Sequence, residues 1–213
     1  LVASLVTLGF REAINLIDSL LFRGQTDITR AMQVYPWYIW PLIVGGGGLI
    51  AGFLLRYATA IEQKQTVRTD YLEVINAQLD AVPARTSLFR SLSSLGSISS
   101  GASIGREGPM VQLSALAGSL MGRWWFRSLP LKNSDVVAMA AAAGLSSVYH
   151  APLASAIFVA EIAFGISAMQ RLIPLIISSG VAVLTMWSLG HRSAMYPFSH
   201  SQFDLTPGSI ALT

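Results

Sequence analysis

Cysteine is absent from this 213-residue chain, which excludes disulfide bonds and thiolate metal sites. Charge is also scarce, since 14 lysines and arginines and 11 aspartates and glutamates make up 12% of the residues, whereas 53% are hydrophobic. This composition, with a mean hydropathy of +0.55, is typical of an integral membrane protein and not of a soluble domain. Because the first residue is leucine and not methionine, we expect the native protein to be longer than this sequence.

Several catalytic and ligand-binding motifs are missing as well. The three histidines form no HExxH pattern and no pair at ligand spacing, so the sequence predicts no metal site. The glycines at 45–48 are not followed by the Lys-Ser or Lys-Thr pair of a phosphate loop. Neither a nucleophile elbow nor a basic surface with interleaved aromatic residues is present. We therefore expect no enzymatic activity, no cofactor and no nucleic-acid partner.

Long uncharged runs predict helices that cross a bilayer. Residues 37–55, 136–160 and 172–190 carry no charge, and each run is long enough to span. Residues 1–21 and 86–122 are also apolar but are interrupted by charged side chains, so we expect those helices to face protein and not lipid. The sequence therefore predicts an all-α, polytopic membrane protein that is embedded in a lipid bilayer.

Turn and capping signals divide the chain into shorter segments. Thr69 and Asp70 are credible caps for a short helix, and the glycines at 45–48 permit close helix approach. A Ser- and Gly-rich run at 96–105 predicts a break between two helices. The predicted helices are 1–22, about 37–61, 71–79, 84–97, one from about 107, 134–149, 152–164, and about 171–189.

The motif Gly105-Arg106-Glu107-Gly108-Pro109 places a charged pair inside an apolar sequence, where ionisable groups are costly and usually functional. Pro109 suits the first turn of a helix that starts near Glu107, and the glycines permit close approach. A helix that starts inside a membrane directs unpaired N–H groups and its positive dipole end toward an anion. Glu107 could occupy that site itself until it is protonated or displaced. The alternative is a capped helix start with Arg106 at the membrane surface.

A second interruption follows at 144–155, with a restart at Pro152. Two interrupted helices in one chain favour a transport site over a simple capped helix end. His150 lies within this break, and we interpret it as a polar residue at a helix end and not as a metal ligand or pH sensor.

These residues resemble the CLC family of chloride channels and chloride/proton exchangers. Residues 105–109 reproduce its GREGP signature, and residues 141–145 and 151–154 resemble its next conserved block at matching spacing. The resemblance extends over nearly the whole chain and implies that residues 1–213 form the N-terminal half of an inverted-repeat protomer with broken and re-entrant helices. It also implies a homodimer, with chloride as the ligand, in a bacterial inner membrane that the chain crosses several times.

The same resemblance implies roles for individual residues. Glu107 would be the gating glutamate at the external anion site, and backbone N–H groups around Arg106 to Pro109, with Gly105 and Gly108, would hold the anion.

The first departure from the family pattern concerns its inner anion motif, GSGIP, which aligns with residues 68–72. Thr69 can replace the serine hydroxyl as a donor, which keeps it as a predicted anion-binding residue. Two glycines are lost and Asp70 is added, so chloride coordination at this helix end is less certain. Asp70 has the alternative role of a helix cap.

The second departure concerns proton coupling, because Ile162 follows Glu161 where exchangers carry a paired glutamate. Isoleucine cannot relay a proton, so either Glu161 forms the proton path or coupling is absent. This pattern resembles the bacterial ClcB-like branch and favours channel-like or weakly coupled chloride permeation. A chloride/proton antiporter is the alternative, and an unrelated secondary transporter with broken helices is a further one. Glu161 could also be only a helix-end charge that reaches the interface.

Overall fold

The computed structural model describes residues 1–21, 36, 38–62, 71–76, 81–125, 132–165 and 168–191. Within these ranges the chain forms eight helices and no strand, which confirms the predicted all-α class. The helices are α1 (Val2–Leu21), α2 (Ile39–Glu62), α3 (Tyr71–Asn76), α4 (Ala84–Ser99), α5 (Glu107–Trp124), α6 (Asn133–Tyr149), α7 (Pro152–Phe164) and α8 (Ala168–Ser188). Most of their ends fall within three residues of the predicted ones; the predicted end of α3, at residue 79, lies outside the described residues.

Two described helices, α2 with 24 residues and α8 with 21, are long and apolar enough to cross a membrane. The prediction that the uncharged run 136–160 forms a third spanning helix is wrong, because the run is divided between α6 and α7. His150 adopts a left-handed backbone with φ of 55°, which ends α6, and α7 restarts with Pro152 in its first turn. Proline lacks an N–H and would clash with the preceding turn inside a continuous helix. The predicted restart at Pro152 is therefore confirmed.

Helices α5 and α6 pack closely because small residues line their interface. A Cβ atom added to Gly118 of α5 would overlap Ala140 of α6, and one added to Gly144 of α6 would overlap Ser114 of α5. Close approach through small side chains is the usual packing mode of membrane helices. The core around this interface consists mostly of alanine and valine side chains from α3, α5, α6, α7 and α8.

Buried hydroxyl groups join α1 to the α6–α8 pair. Ser147 of α6 donates to Ser4 of α1 at 3.1 Å, and the Ser4 hydroxyl donates to the Ala182 carbonyl of α8 at 3.2 Å. Such bonds satisfy polar groups that would be costly in an apolar interior. Helix α1 buries Ile14 and Asp18 on one face and exposes Leu16 on another, so the expectation that it faces protein is confirmed for one face only.

Helices α2 and α4 form a second pair. Of the glycines at 45–48, only Gly47 lies against another described part of the chain, where a Cβ atom would overlap Ser100. The Ser93 hydroxyl of α4 donates to the Ala51 carbonyl of α2 at 2.7 Å. Arg90 and Glu62 add an ion pair at 2.8 Å between the two helices. Close approach at the glycine run is therefore confirmed at one of its four positions.

We expect Gly118→Ala to lower the thermal midpoint of the detergent-solubilised, full-length protein. The new methyl group overlaps Ala140, and overpacking of this kind costs about 1–3 kcal/mol. The matched control is Gly52→Ala, because Gly52 of α2 has no described atom within 4 Å of the added Cβ position. Equal midpoints for the two variants, measured by size-exclusion chromatography after heating, would contradict the close α5–α6 contact.

Candidate functional site

The site is built where α4 ends and α5 begins. After Ser99 the chain reverses through Gly101 and Gly105, whose φ values of +100° and +79° are readily adopted only by glycine. Helix α5 then begins at Glu107, and Arg106 at its N-cap makes no side-chain capping hydrogen bond among the described residues. The first N–H groups of a helix have no intrahelical partner, so this start is a positive, hydrogen-bond-donating end.

The Glu107 carboxylate folds back over the turn that precedes its own helix. A Cβ atom built on Gly105 would lie 2.6 Å from Glu107 Oε2 and 3.7 Å from its Cδ. The carboxylate therefore occupies space that is open only because residue 105 has no side chain. Its negative charge lies at the positive end of α5, where the helix dipole stabilises it.

Pro109 lies in the first turn of α5, as predicted, and its missing N–H removes no intrahelical bond there. Gly108 is exposed, and an added Cβ would have no described atom within 4 Å. The structure thus brings all five residues of the 105–109 motif to one helix start.

A cavity of about 740 Å³ opens beside this helix start. Glu107 and Gly108 line it on one side, and Ala151, at the restart before α7, lines it on another. Tyr71, the first residue of α3, also faces the cavity. The two interruptions that the sequence predicted separately therefore meet at one cavity, together with the start of a third helix. Its remaining lining residues are mostly apolar: Val111, Leu145, Tyr149, Ala154, Ser155 and Phe158.

The aromatic side chains of the cavity were missed by the sequence analysis. Tyr71, Tyr149 and Phe158 come from three different helices, so only the fold brings them together. The position of Tyr149 beside the site could have been predicted, because this residue immediately precedes the helix break at His150. His150 itself adopts the left-handed backbone of a helix end.

Asp18 is a further residue whose position the sequence did not indicate. It is 4% exposed, and its Oδ1 atom accepts no hydrogen bond from the described residues. Ser99 and, to a smaller extent, the Arg106 guanidinium stabilise the charge of this carboxylate. A buried acid in an apolar helix was the available signal.

The predicted proton-path residue, Glu161, lies away from the cavity. It is exposed, belongs to the last turn of α7 and is not among the cavity-lining residues. It lies nine residues beyond Pro152, which corresponds to roughly 13 Å along the helix axis. Ile162 beside it is 43% exposed. The structure therefore does not bring Glu161 and Glu107 together.

The predicted inner anion residue, Thr69, and its neighbour Asp70 lie outside the described residues. The described chain resumes at Tyr71, which faces the cavity. Among the residues that the structure describes, no group of three or more histidine, aspartate or glutamate side chains could hold a metal ion.

This arrangement defines a class of protein: a helical, membrane-type protein whose helices stop and restart around a common cavity, with an acid at one restart. The sequence model of the family described as "Voltage gated chloride channel" matches residues 47–212. The chain therefore belongs to the voltage-gated chloride channel family, which confirms the resemblance to CLC proteins.

Curated relatives agree with this assignment. The chain is 38% identical over 213 residues to a protein of Ralstonia nicotianae named "Putative chloride channel protein ClcB-like", covering 99% of this chain and 49% of the relative. It is also 38% identical over 213 residues to the "Voltage-gated ClC-type chloride channel ClcB" of Citrobacter koseri, covering 96% and 49%. A Yersinia pestis protein of that name is 38% identical over 201 residues, covering 92% and 48%. The chain spans about half the length of the curated relatives that it matches, and their names describe channels and not enzymes.

We expect Gly105→Ala to displace the Glu107 carboxylate. An alanine at φ of +79° is strained, by roughly 1–2 kcal/mol, and its Cβ would lie 2.6 Å from Oε2. The flexible glutamate side chain is the group that moves. A structure of the full-length variant would show the displacement. Gly108→Ala is the matched control, and a carboxylate that stays in place in both variants would contradict this geometry.

Proposed function

We propose that the full-length protein conducts chloride across a bacterial inner membrane through an anion pathway that Glu107 gates. One observation carries the proposal: the Glu107 carboxylate folds over Gly105 at the start of α5, beside a cavity of about 740 Å³. The family assignment and the channel names of the relatives support chloride as the permeating ion. The alternative of an unrelated secondary transporter loses its support with the family assignment.

The start of α5 is suited to an anion because its N–H groups and its dipole both favour negative charge. The N–H groups near Arg106, Glu107 and Gly108 would hold chloride in the absence of the carboxylate. Chloride and ionised Glu107 compete for the same positive helix end. Protonation removes the charge of the carboxylate, so the side chain no longer competes and the anion enters.

The surroundings of the cavity support the same mechanism. Most of its lining side chains are apolar, and surroundings of low polarity strengthen the electrostatic interactions of an anion with the helix start. The absence of a side chain at Gly108 leaves the approach to the helix start open. The restart before Pro152 brings a second helix start to the same cavity, which is the arrangement that transporters use for anions.

Channel-like or weakly coupled permeation is favoured over tight chloride/proton exchange. Ile162 cannot bind a proton, and Glu161 lies near the exposed end of α7, outside the cavity lining. A proton relay needs ionisable groups in succession, and α7 offers only Glu161. The antiporter alternative would have to use this residue.

The proposal extends to the assembly of the whole protein. Helices α2 and α8 would cross the bilayer, and the chain would cross it several times once the shorter helices are included. The family pattern favours a homodimer with one pathway in each protomer. Because the chain spans about half of its relatives, the described helices would line one side of the pathway.

We expect Glu107→Gln to remove the pH dependence of chloride efflux from liposomes that contain the full-length protein. The amide has nearly the shape of the acid but carries no charge at any pH, so the gate no longer closes. Wild-type efflux should rise as the pH falls, because protonation neutralises the carboxylate. Glu161→Gln is the matched control and should retain the wild-type pH response. A Glu107→Gln protein with unchanged pH dependence would refute gating by this residue.

We expect the reversal potential to follow the chloride gradient alone when chloride and pH gradients are imposed together. Without a proton acceptor at position 162, proton movement is not tied to chloride movement. The measurement is made in planar bilayers with the full-length protein. A reversal potential that shifts with the pH gradient, and loses this shift in Glu161→Gln, would establish antiport through Glu161.

A further inference from the structure

The chain segment 71–82, which contains α3, is hydrogen-bonded to α5 at both of its ends. Near the start, the backbone N–H of Tyr71 donates to Gln112 Oε1 at 3.3 Å. Near the other end, the backbone N–H of Val82 donates to the Ser119 hydroxyl at 3.1 Å. Gln112 and Ser119 are seven residues apart, which places them on one face of α5 about 10 Å from each other along its axis.

Each of these two side chains has a second polar partner. Gln112 Nε2 donates to the hydroxyl of Ser87 in α4 at 2.9 Å, and Ser87 is fully buried. Asn133 Nδ2, at the start of α6, donates to Ser119 at 3.2 Å. The amide orientation of Gln112 is thereby fixed, because its oxygen accepts and its nitrogen donates.

Apolar side chains are buried between these two hydrogen-bonded anchors, Gln112 and Ser119. Val74 and Ile75 of α3 are buried in one cluster with Val111 and Leu116 of α5. The segment therefore has a hydrogen bond to α5 at each end and, between them, shares one apolar cluster with α5. Apolar contact alone is non-directional and permits sliding, whereas the hydrogen bonds fix the register.

The Gln112 anchor is the one that adjoins the cavity. Tyr71 lines the cavity, and Gln112 follows Glu107 by five residues on the same helix. We propose that Gln112 is a positioning residue of the anion pathway, which fixes the start of α3 relative to Glu107 and thereby sets how tightly chloride is held. Ser119 fixes the far end of the segment and has no such effect. This inference rests on the proposed function.

Gln112→Leu tests the proposal, because leucine has a similar size but neither accepts from Tyr71 nor donates to Ser87. In liposomes with the full-length protein, the chloride concentration at half-maximal flux should change by about three- to tenfold, the equivalent of one hydrogen bond. Ser119→Ala removes the distal anchor and is the matched control, with a change of less than about twofold expected. Gln112→Asn, which is too short to reach Tyr71, should reproduce the effect if the leucine variant does not fold.

A double-mutant cycle separates positioning from general destabilisation. Ser87→Ala alone should shift the chloride dependence in the same direction by a smaller amount. In the Gln112→Leu background Ser87→Ala should add nothing, because the hydrogen bond between Gln112 and Ser87 is already lost.

Hydrogen exchange gives a second measurement that does not depend on flux. Exchange should accelerate at the Tyr71 amide in Gln112→Leu and at the Val82 amide in Ser119→Ala.

The outcomes distinguish this inference from the function on which it rests. If the wild-type protein carries no chloride, the proposed function fails and the positioning role fails with it. If the wild-type protein carries chloride and a folded Gln112→Leu or Gln112→Asn protein keeps the wild-type chloride dependence, only the positioning role is overturned. Equal shifts in Gln112→Leu and Ser119→Ala would also overturn it, because the effect would then be one of stability.

Discussion

A helix that begins inside a membrane must satisfy its first N–H groups without water, and an unsatisfied group there costs several kcal/mol. In the structure the acid of the first turn of α5, Glu107, folds back over Gly105 at this helix start. We propose that an anion from solution replaces this acid, because both would offer negative charge to the same positive helix end. The surrounding residues suit such an exchange: Gly105 leaves space for the carboxylate, Gly108 leaves the helix start accessible, and Pro109 lies where no N–H is needed.

The rest of the fold holds this helix start in place. Small residues allow α5 and α6 to pack closely, so the break before α7 lies beside the start of α5. Hydroxyl groups of Ser4 and Ser147 attach α1, which carries Asp18 toward Arg106. On the other side, Gln112 and Ser119 attach the segment that contains α3. The anion site that we propose uses mainly backbone groups, so its geometry would depend on these neighbouring helices.

Most of the helices, the break at 105–109 and the family could be predicted from the sequence, because glycine, proline and charge act locally on the backbone. Hydropathy alone predicted one spanning helix over residues 136–160, because that run is long and uncharged. It does not take account of Pro152, where the helix is interrupted and restarts. Tyr71, Gln112 and Phe158 could not be assigned, since their roles depend on contacts between residues far apart in the chain. Asp18 could be recognised as an acid in an apolar helix, but its burial and its approach to Arg106, which is 88 positions away, could not be predicted.

The most direct test of the account is to locate bromide, a heavier substitute for chloride, in structures of the full-length wild-type and Glu107→Gln proteins at neutral pH. We expect a bromide ion beside the backbone N–H groups of residues 106–108 in Glu107→Gln, and the Glu107 carboxylate in that place in the wild type. A Glu107→Gln protein that conducts chloride but binds no bromide at the start of α5 would contradict it.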